Sequence, residues 1–293
     1  MFTLSRSRRR FAAAVACSVL LAGCSDSGDG NDDVYVASDP TFAPGTTMAE
    51  LHQAGKVRIG VRFDQPGIGF KDDGSNTPTG FDIEIAKIIT GELGLGPDKI
   101  DWVETQAQNR ASLLRRGTVD LVVAAYTITP ERQKAVGLAG PYYVTGQQLM
   151  VRRGDKSISG PADVKGKKVC SATGSTPLRR IKDEYHAATV ARPSYRECVK
   201  LLTSGSVDAV TTDGAALLGY VAQHPKQLKV VGKPFTRESY GVGYRKNDTA
   251  MCRFIDHVLE NAYYRGAWGS ALYRTLWRTT RALPDPPITK PCP

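Results

Sequence analysis

A few polar residues at related places along this chain have the types and spacing needed to hold a small charged molecule. Arg132 follows Thr129-Pro130-Glu131, one turn into an expected helix, and its planar guanidinium suits a bidentate grip on a carboxylate. The Ala125 carbonyl, the Thr127 hydroxyl and the Asp213 carboxylate are acceptors, and a primary ammonium has three N–H bonds to give. Ser175 and Thr176 open a helix after Gly174, where free backbone N–H groups favour an anion. Together these groups suit an amino acid. Taken singly, each has an ordinary structural reading: a surface charge for Arg132, a strand residue for Thr127, helix caps for Asp213 and Thr176.

Their placement follows from an internal similarity. The stretches Leu113-Leu114-Arg115-Arg116-Gly117-Thr118-Val119-Asp120-Leu121-Val122 and Leu201-Leu202-Thr203-Ser204-Gly205-Ser206-Val207-Asp208-Ala209-Val210 share Leu-Leu-x-x-Gly-Ser/Thr-Val-Asp-x-Val at an offset of 88 residues. Each reads as a helix stopped by glycine and followed by a short buried strand. Ser194 and Glu197 have capping-box spacing before the second helix. The offset exceeds solenoid periods and points instead to two similar α/β lobes with parallel strands. It places Ala125 opposite Asp213, each at the carboxyl end of a strand, where open α/β sheets bind ligands. A cleft between lobes is expected, with residues 125–132 on one wall and 211–213 on the other. Two extended segments, 142–151 and 239–244, bracket the second lobe as crossover strands and hinge.

The chain begins with a leader. Arg6, Arg8, Arg9 and Arg10 precede an apolar run from Phe11 to Leu21, too short to span a bilayer comfortably. Its Leu21-Ala22-Gly23-Cys24 ending resembles a bacterial lipobox, which implies acylation of Cys24 and an extracytoplasmic, membrane-held protein. Four of the six cysteines then remain, and an even number in an oxidising compartment suggests disulfides. Proximity favours Cys170 with Cys198 and Cys252 with Cys292. No Cys-x-x-Cys or histidine cluster supports a metal. The formal net charge is +10, four of it from the leader arginines. The basic residues are spread out, without the basic block or interleaved aromatics of a nucleic-acid site.

Several motifs carry a family resemblance over essentially all of residues 51–283. Gly80-Phe81-Asp82-Ile83-Glu84, Ala125-Tyr126-Thr127-Ile128-Thr129-Pro130-Glu131-Arg132, Gly174-Ser175-Thr176 and Tyr240-Gly241-Val242-Gly243 resemble the polar amino-acid substrate-binding proteins of ABC importers. Arg58-Ile59-Gly60-Val61-Arg62-Phe63-Asp64-Gln65-Pro66-Gly67, Gly140-Pro141-Tyr142-Tyr143-Val144 and Cys170-Ser171-Ala172-Thr173-Gly174-Ser175-Thr176-Pro177 are similar to the glutamate-binding lipoproteins of Gram-positive uptake systems. The resemblance implies a two-lobed α/β fold of the periplasmic-binding-protein type II. It also implies roles: Arg132 for the α-carboxylate, Thr127 beside it, Asp213 for the α-ammonium, Phe81 as an aromatic wall, and Ser175 with Thr176 as second-lobe amides. Ala125 stands where the family often has Gly or Ser, and Pro130 where it often has Asp.

The expected organisation is a signal peptide at 1–23, a lipid-anchored flexible tether at 24–45, a discontinuous first lobe at 46–141 and 242–293, a second lobe at 147–237, and a hinge at 142–146 and 238–241. Arg62, at the end of the first strand, is the expected partner of an acidic side chain, with Arg179 or Arg180 in reserve. The expected function is capture of glutamate or aspartate by hinge closure and delivery to ABC permease subunits. Neither a cofactor nor nucleic acid is expected, and the protein is expected to be a monomer. The alternatives are a lipoprotein signalling to a membrane kinase and a cyclohexadienyl-dehydratase-like enzyme. The chain lacks Gly-x-Ser-x-Gly, His-Glu-x-x-His, phosphate-loop and dinucleotide motifs.

Overall fold

The computed structural model describes residue 2, residues 34–277 and residues 284–292. The leader and Cys24, on which export and lipidation rest, lie outside the described residues. Two five-stranded mixed sheets organise the chain. In the first, Ile100–Glu104, Val57–Val61 and Leu121–Val122 run parallel, and Glu238–Tyr244 joins Leu121–Val122 to the edge strand Gly137–Thr145 by antiparallel pairing. In the second the order is Leu228–Val231, Gln147–Arg152, Ala209–Asp213, Lys168–Ala172 and Ala188–Arg192, with the last three parallel.

Parallel strands covered by helices are apolar on both faces, and Val57, Ile59, Val61, Leu121 and Val122 are indeed buried. Helices Phe81–Glu92, Thr249–Tyr264 and Ala267–Thr275 close the core of the first lobe with Ile85, Ile89, Ile255, Leu259 and Leu272. The second lobe is packed by Thr176–Asp183, Tyr195–Thr203 and Gly214–Gln223. The caps follow the sequence: Ser194 accepts from the Glu197 N–H (3.2 Å), Thr129 from Arg132 (3.2 Å) and Asp248 from Met251 (2.9 Å).

The internal similarity is structural. Asp120, ahead of Leu121–Val122, accepts from the Arg58 N–H and returns its own N–H to the Arg58 carbonyl, both at 2.8 Å. Asp208, ahead of Ala209–Asp213, does the same with Lys168, again at 2.8 Å each way. The shared Val-Asp thus pins each strand to a parallel strand of its lobe by a reciprocal pair of bonds.

The chain crosses between sheets at Gly146 and over 232–237, while Val144 and Thr145 pair with Ser239 and Glu238 inside the first sheet. A Cβ on Gly146 would lie 2.4 Å from the Thr236 carbonyl oxygen, so the crossings touch where only glycine fits. The segment 34–45, expected to continue the tether, lies on the first lobe: Ala37 donates to the Gly91 carbonyl (2.9 Å), and Phe42 packs edge-on against Phe254. Its aromatic residues, Tyr35 and Phe42, give it apolar surface to bury. Disulfides join Cys170 to Cys198 within the second lobe and Cys252 to Cys292, which ties the tail to the Thr249–Tyr264 helix. No helix among the described residues is long and apolar enough to cross a membrane.

Candidate functional site

Strand ends from both sheets meet at a small cavity of about 20 Å³, well below the volume of open small-molecule clefts, about 300–1,000 Å³. Arg62, Ala125, Thr127 and Arg132 line it from the first lobe, and Ser175, Thr176 and Asp213 from the second. Phe81 is not brought there. It is fully buried among Tyr142, Tyr143 and Trp268 in edge-on and tilted contacts, because its helix turns that face toward the first-lobe core.

Asp213 ends its strand and stands at the N-cap of Gly214–Gln223, yet its side chain makes no capping bond. One carboxylate oxygen accepts from the Tyr240 hydroxyl at 2.5 Å, and the other is buried with no partner among the described residues. Burial, followed by the nearby Glu238 carboxylate, raises its pKa to about 7. A buried acceptor left open in a cleft wall is set up for a cationic donor. Ala125 has a positive φ of 46°, and its carbonyl already accepts from Arg110 (2.9 Å) and the Thr127 N–H (3.2 Å). Both lone pairs are thereby engaged. The Ser175 N–H is likewise turned onto Ala172 (3.1 Å) and its hydroxyl caps Leu178 (3.1 Å). Thr176 opens its helix, where an N–H has no intrahelical acceptor, and its hydroxyl donates to Glu238 (3.2 Å).

Three arginines reach the cavity, and they differ. Arg62 is 2% exposed and forms a bidentate pair with Asp64 at 2.7 and 2.6 Å. Burial pulls its pKa down, but the Asp64 charge and hydrogen bonds outweigh it and leave the pKa raised. Its Nη1 has no partner among the described residues. Arg132 donates to the Thr127 carbonyl (2.8 Å) and, across the cleft, to Gly174 (3.4 Å). Arg110, the residue that the sequence reading missed, is 3% exposed and donates to the carbonyls of Ala107 (3.1 Å), Ala124 (3.0 Å) and Ala125. Neither Arg110 nor Arg132 makes an ion pair among the described residues. Burial first and Arg132 second pull the Arg110 pKa down to about 9, and the Tyr126 ring packs against both guanidiniums, at 4.2 and 5.1 Å. Arg110 stands on a helix remote in sequence from the strand-end motifs, so only its place in Gln108-Asn109-Arg110, ahead of the repeated Leu-Leu, could have flagged it.

Outside Arg132 the cleft widens between Gln108, Glu131, Arg179 and Lys182. The two reserve arginines are occupied on the surface, Arg179 by Glu131 across the cleft mouth and Arg180 by Glu184 one turn on. Metal-ligand atoms gather, among the described residues, at Cys252, Asp256 and Cys292. There the two sulfurs are bonded to one another, so the group fastens the tail.

The model of the bacterial extracellular solute-binding proteins, family 3, matches residues 57–274. The chain belongs to that family. A glutamate-binding protein, GluB, of Corynebacterium efficiens is 33% identical over 97% of this chain and 95% of its own length. The ABC transporter glutamine-binding protein GlnH of Bacillus subtilis is 35% identical over 83% of this chain and 86% of its own. Among solved structures, an ancestral arginine-binding protein bound to glutamine superposes with a TM-score of 0.71 at 34% identity, covering 75% of this chain and 97% of that one. The family is one of binding proteins and not of enzymes, and the architecture is its two-lobed type II fold.

Proposed function

We propose that this family member captures an acidic amino acid, glutamate or aspartate, outside the cytoplasm and passes it to an ABC importer. The observation that carries the acidic preference is the pair of cations without carboxylate partners, Arg110 and Arg132, on one cavity wall. Buried charges are ordinarily paired, and two such cations call for two carboxylates. An amide side chain brings only one. Arg132, with Thr127 and the Thr176 N–H, takes the α-carboxylate, and the open oxygen of Asp213 takes the α-ammonium. Arg110 takes the distal carboxylate, with Arg62 adding the N–H groups of Nη1 and no net charge.

The two sheets move as lobes about the crossings at Gly146 and 232–237, because the expected hinge positions 142–145 and 238–241 lie on strands paired within the first sheet. Cys24 carries the acyl anchor that holds the protein at the outer face of the membrane. The names of the relatives support the ligand class, since one is a glutamate-binding and one a glutamine-binding protein. Calorimetric titration with L-glutamate, L-aspartate, L-glutamine and L-asparagine tests the reading. The two acids are expected to bind at least tenfold more tightly than their amides, and equal binding of acid and amide would remove Arg110 from the distal site.

A further inference from the structure

Asp64, the partner that neutralises Arg62, stands on the seam between the lobes. It opens a short hairpin, Asp64–Gln65 against Gly69–Phe70, that follows Arg62 out of the first sheet. Its carboxylate is shared: both oxygens accept from Arg62, and Oδ2 also accepts at 2.7 Å from the N–H of Tyr195, the first residue of a second-lobe helix. The backbone around this hairpin is gripped from the second lobe at further points. The Tyr220 hydroxyl donates to the Asp64 carbonyl, and Arg196 donates to the carbonyls of Phe63 (3.3 Å) and Lys71 (3.1 Å). Gly219, beside Tyr220, lies so near Pro66 that a Cβ would stand 2.1 Å from the Pro66 carbonyl oxygen. Glycine inside a helix weakens it, and this close approach is the reason for one here.

We propose that this clasp aligns the two lobes for binding, with Asp64 and Gly219 as positioning residues. Asp64 fixes the direction of Arg62, which lines the cavity and whose Nη1 has no partner among the described residues. Tyr195 in turn fixes Asp64, and it does so only when the second lobe is seated. Gly219 lets the Gly214–Gln223 helix come down onto Pro66. Seating the second lobe therefore completes the Arg62 wall through contacts between protein groups alone. The inference rests on the amino-acid-binding reading above and adds the residues that couple closure to the far wall of the cavity.

Gly219→Ala in the full-length protein separates this role from ordinary stability, because alanine is the better helix former yet obstructs the seat. Calorimetry should show L-glutamate bound at least tenfold more weakly, and scattering should show less compaction in saturating L-glutamate. The ligand-free melting temperature should be unchanged or higher. Tyr220→Phe removes one hydroxyl and no packing, and should weaken L-glutamate about two- to fivefold. Gly219→Ala that binds within twofold of wild type and compacts fully overturns the proposal, as does Tyr220→Phe with no loss of affinity. Wild-type protein that binds L-glutamine and not L-glutamate sinks the acidic reading alone, and the same two variants titrated with L-glutamine then decide the clasp. Wild-type protein that binds neither overturns both.

Discussion

Arg62 and Arg110 stand on the same lobe, line the same cavity and are both almost wholly buried, but their surroundings give them different work. Arg62 lies two residues from a carboxylate that matches two of its three guanidinium nitrogens, so its charge is balanced before any ligand arrives. Arg110 is held by three carbonyl oxygens, which orient a guanidinium without cancelling its charge. Charge and a place at the end of the first strand made Arg62 the candidate for acidic specificity. In the proposed function the neighbours favour Arg110 for that role, since a cation recognises an anion in proportion to the charge still uncompensated.

The comparison breaks most directly at Arg110. Loss of two charge-assisted hydrogen bonds worth about 1.5–3 kcal/mol each means that Arg110→Met should weaken L-glutamate by about a hundredfold to ten-thousandfold at 1.4 kcal/mol per decade. L-glutamine should lose far less. Calorimetry with both ligands measures the ratio, and parallel losses would place Arg110 at the α-carboxylate instead.

Arg62 should report in stability where Arg110 reports in affinity. Arg62→Met strands the Asp64 charge in the seam, which costs about 3–5 kcal/mol for a buried pair. For a domain of this size that is a drop in melting temperature of roughly 6–20 °C. Adding Asp64→Leu should recover most of it, because removing both members of a buried pair is often close to neutral. Through both changes the preference for L-glutamate over L-glutamine should shift less than tenfold. A collapse of that preference in Arg62→Met would restore Arg62 as the distal cation.

Asp213→Asn keeps the shape and the Tyr240 contact but removes the charge facing the ammonium, so every amino acid tested should bind more weakly by about tenfold. Acid and amide should suffer alike. A loss confined to one ligand class would move Asp213 from the common site to the variable one.

The smallest expected effect is with pH. Asp82 and Asp213 both have pKa values raised to about 7, first by burial, from 3.8. Between these values the folded chain keeps protons that the unfolded chain has released. Their contribution to stability is therefore complete below about pH 4 and is lost as the pH rises through 7. Ligand affinity should run the other way, since the ammonium needs Asp213 ionised. Melting curves and titrations from pH 5 to 8 should show opposite slopes, and an affinity that falls as the pH rises would exclude Asp213 as the ammonium partner.

Much of the fold was legible because it is written locally. The Leu-Leu-x-x-Gly-Ser/Thr-Val-Asp-x-Val repeat marks a helix stop and a buried strand, and both occur in each lobe. The caps at Thr129, Ser194 and Asp248 are single-residue signals with single-bond outcomes. The strand-end rule brought Thr127, Arg132, Thr176 and Asp213 to one cavity. What was not legible depends on which way a side chain turns. Phe81 sits one residue from Asp82, whose carboxylate holds the Tyr142 hydroxyl and the Ala125 N–H, yet the ring belongs to the core. Arg110 was hidden because nothing in the sequence says that its helix points a cation at carbonyls 14 and 15 residues away. The pairing of Arg62 with Asp64 was in plain view at two residues' distance, but strands of period two place both on one face only when the chain stays extended through Phe63.

The reciprocal Asp120–Arg58 and Asp208–Lys168 bonds give the molecule a mechanical character. Each fastens a strand to a parallel strand of its lobe at the end remote from the cavity, where shearing between strands would otherwise begin. Stiffness is thereby concentrated inside the two sheets, and compliance is left to the short crossings at Gly146 and 232–237. In the proposed closure, a small displacement at those crossings would be carried outward by two rigid plates, so the rim of the cleft would travel farther than the hinge itself. The distance from hinge to rim would then act as a lever arm, through which an object of amino-acid size could drive a motion felt across the whole face of the protein.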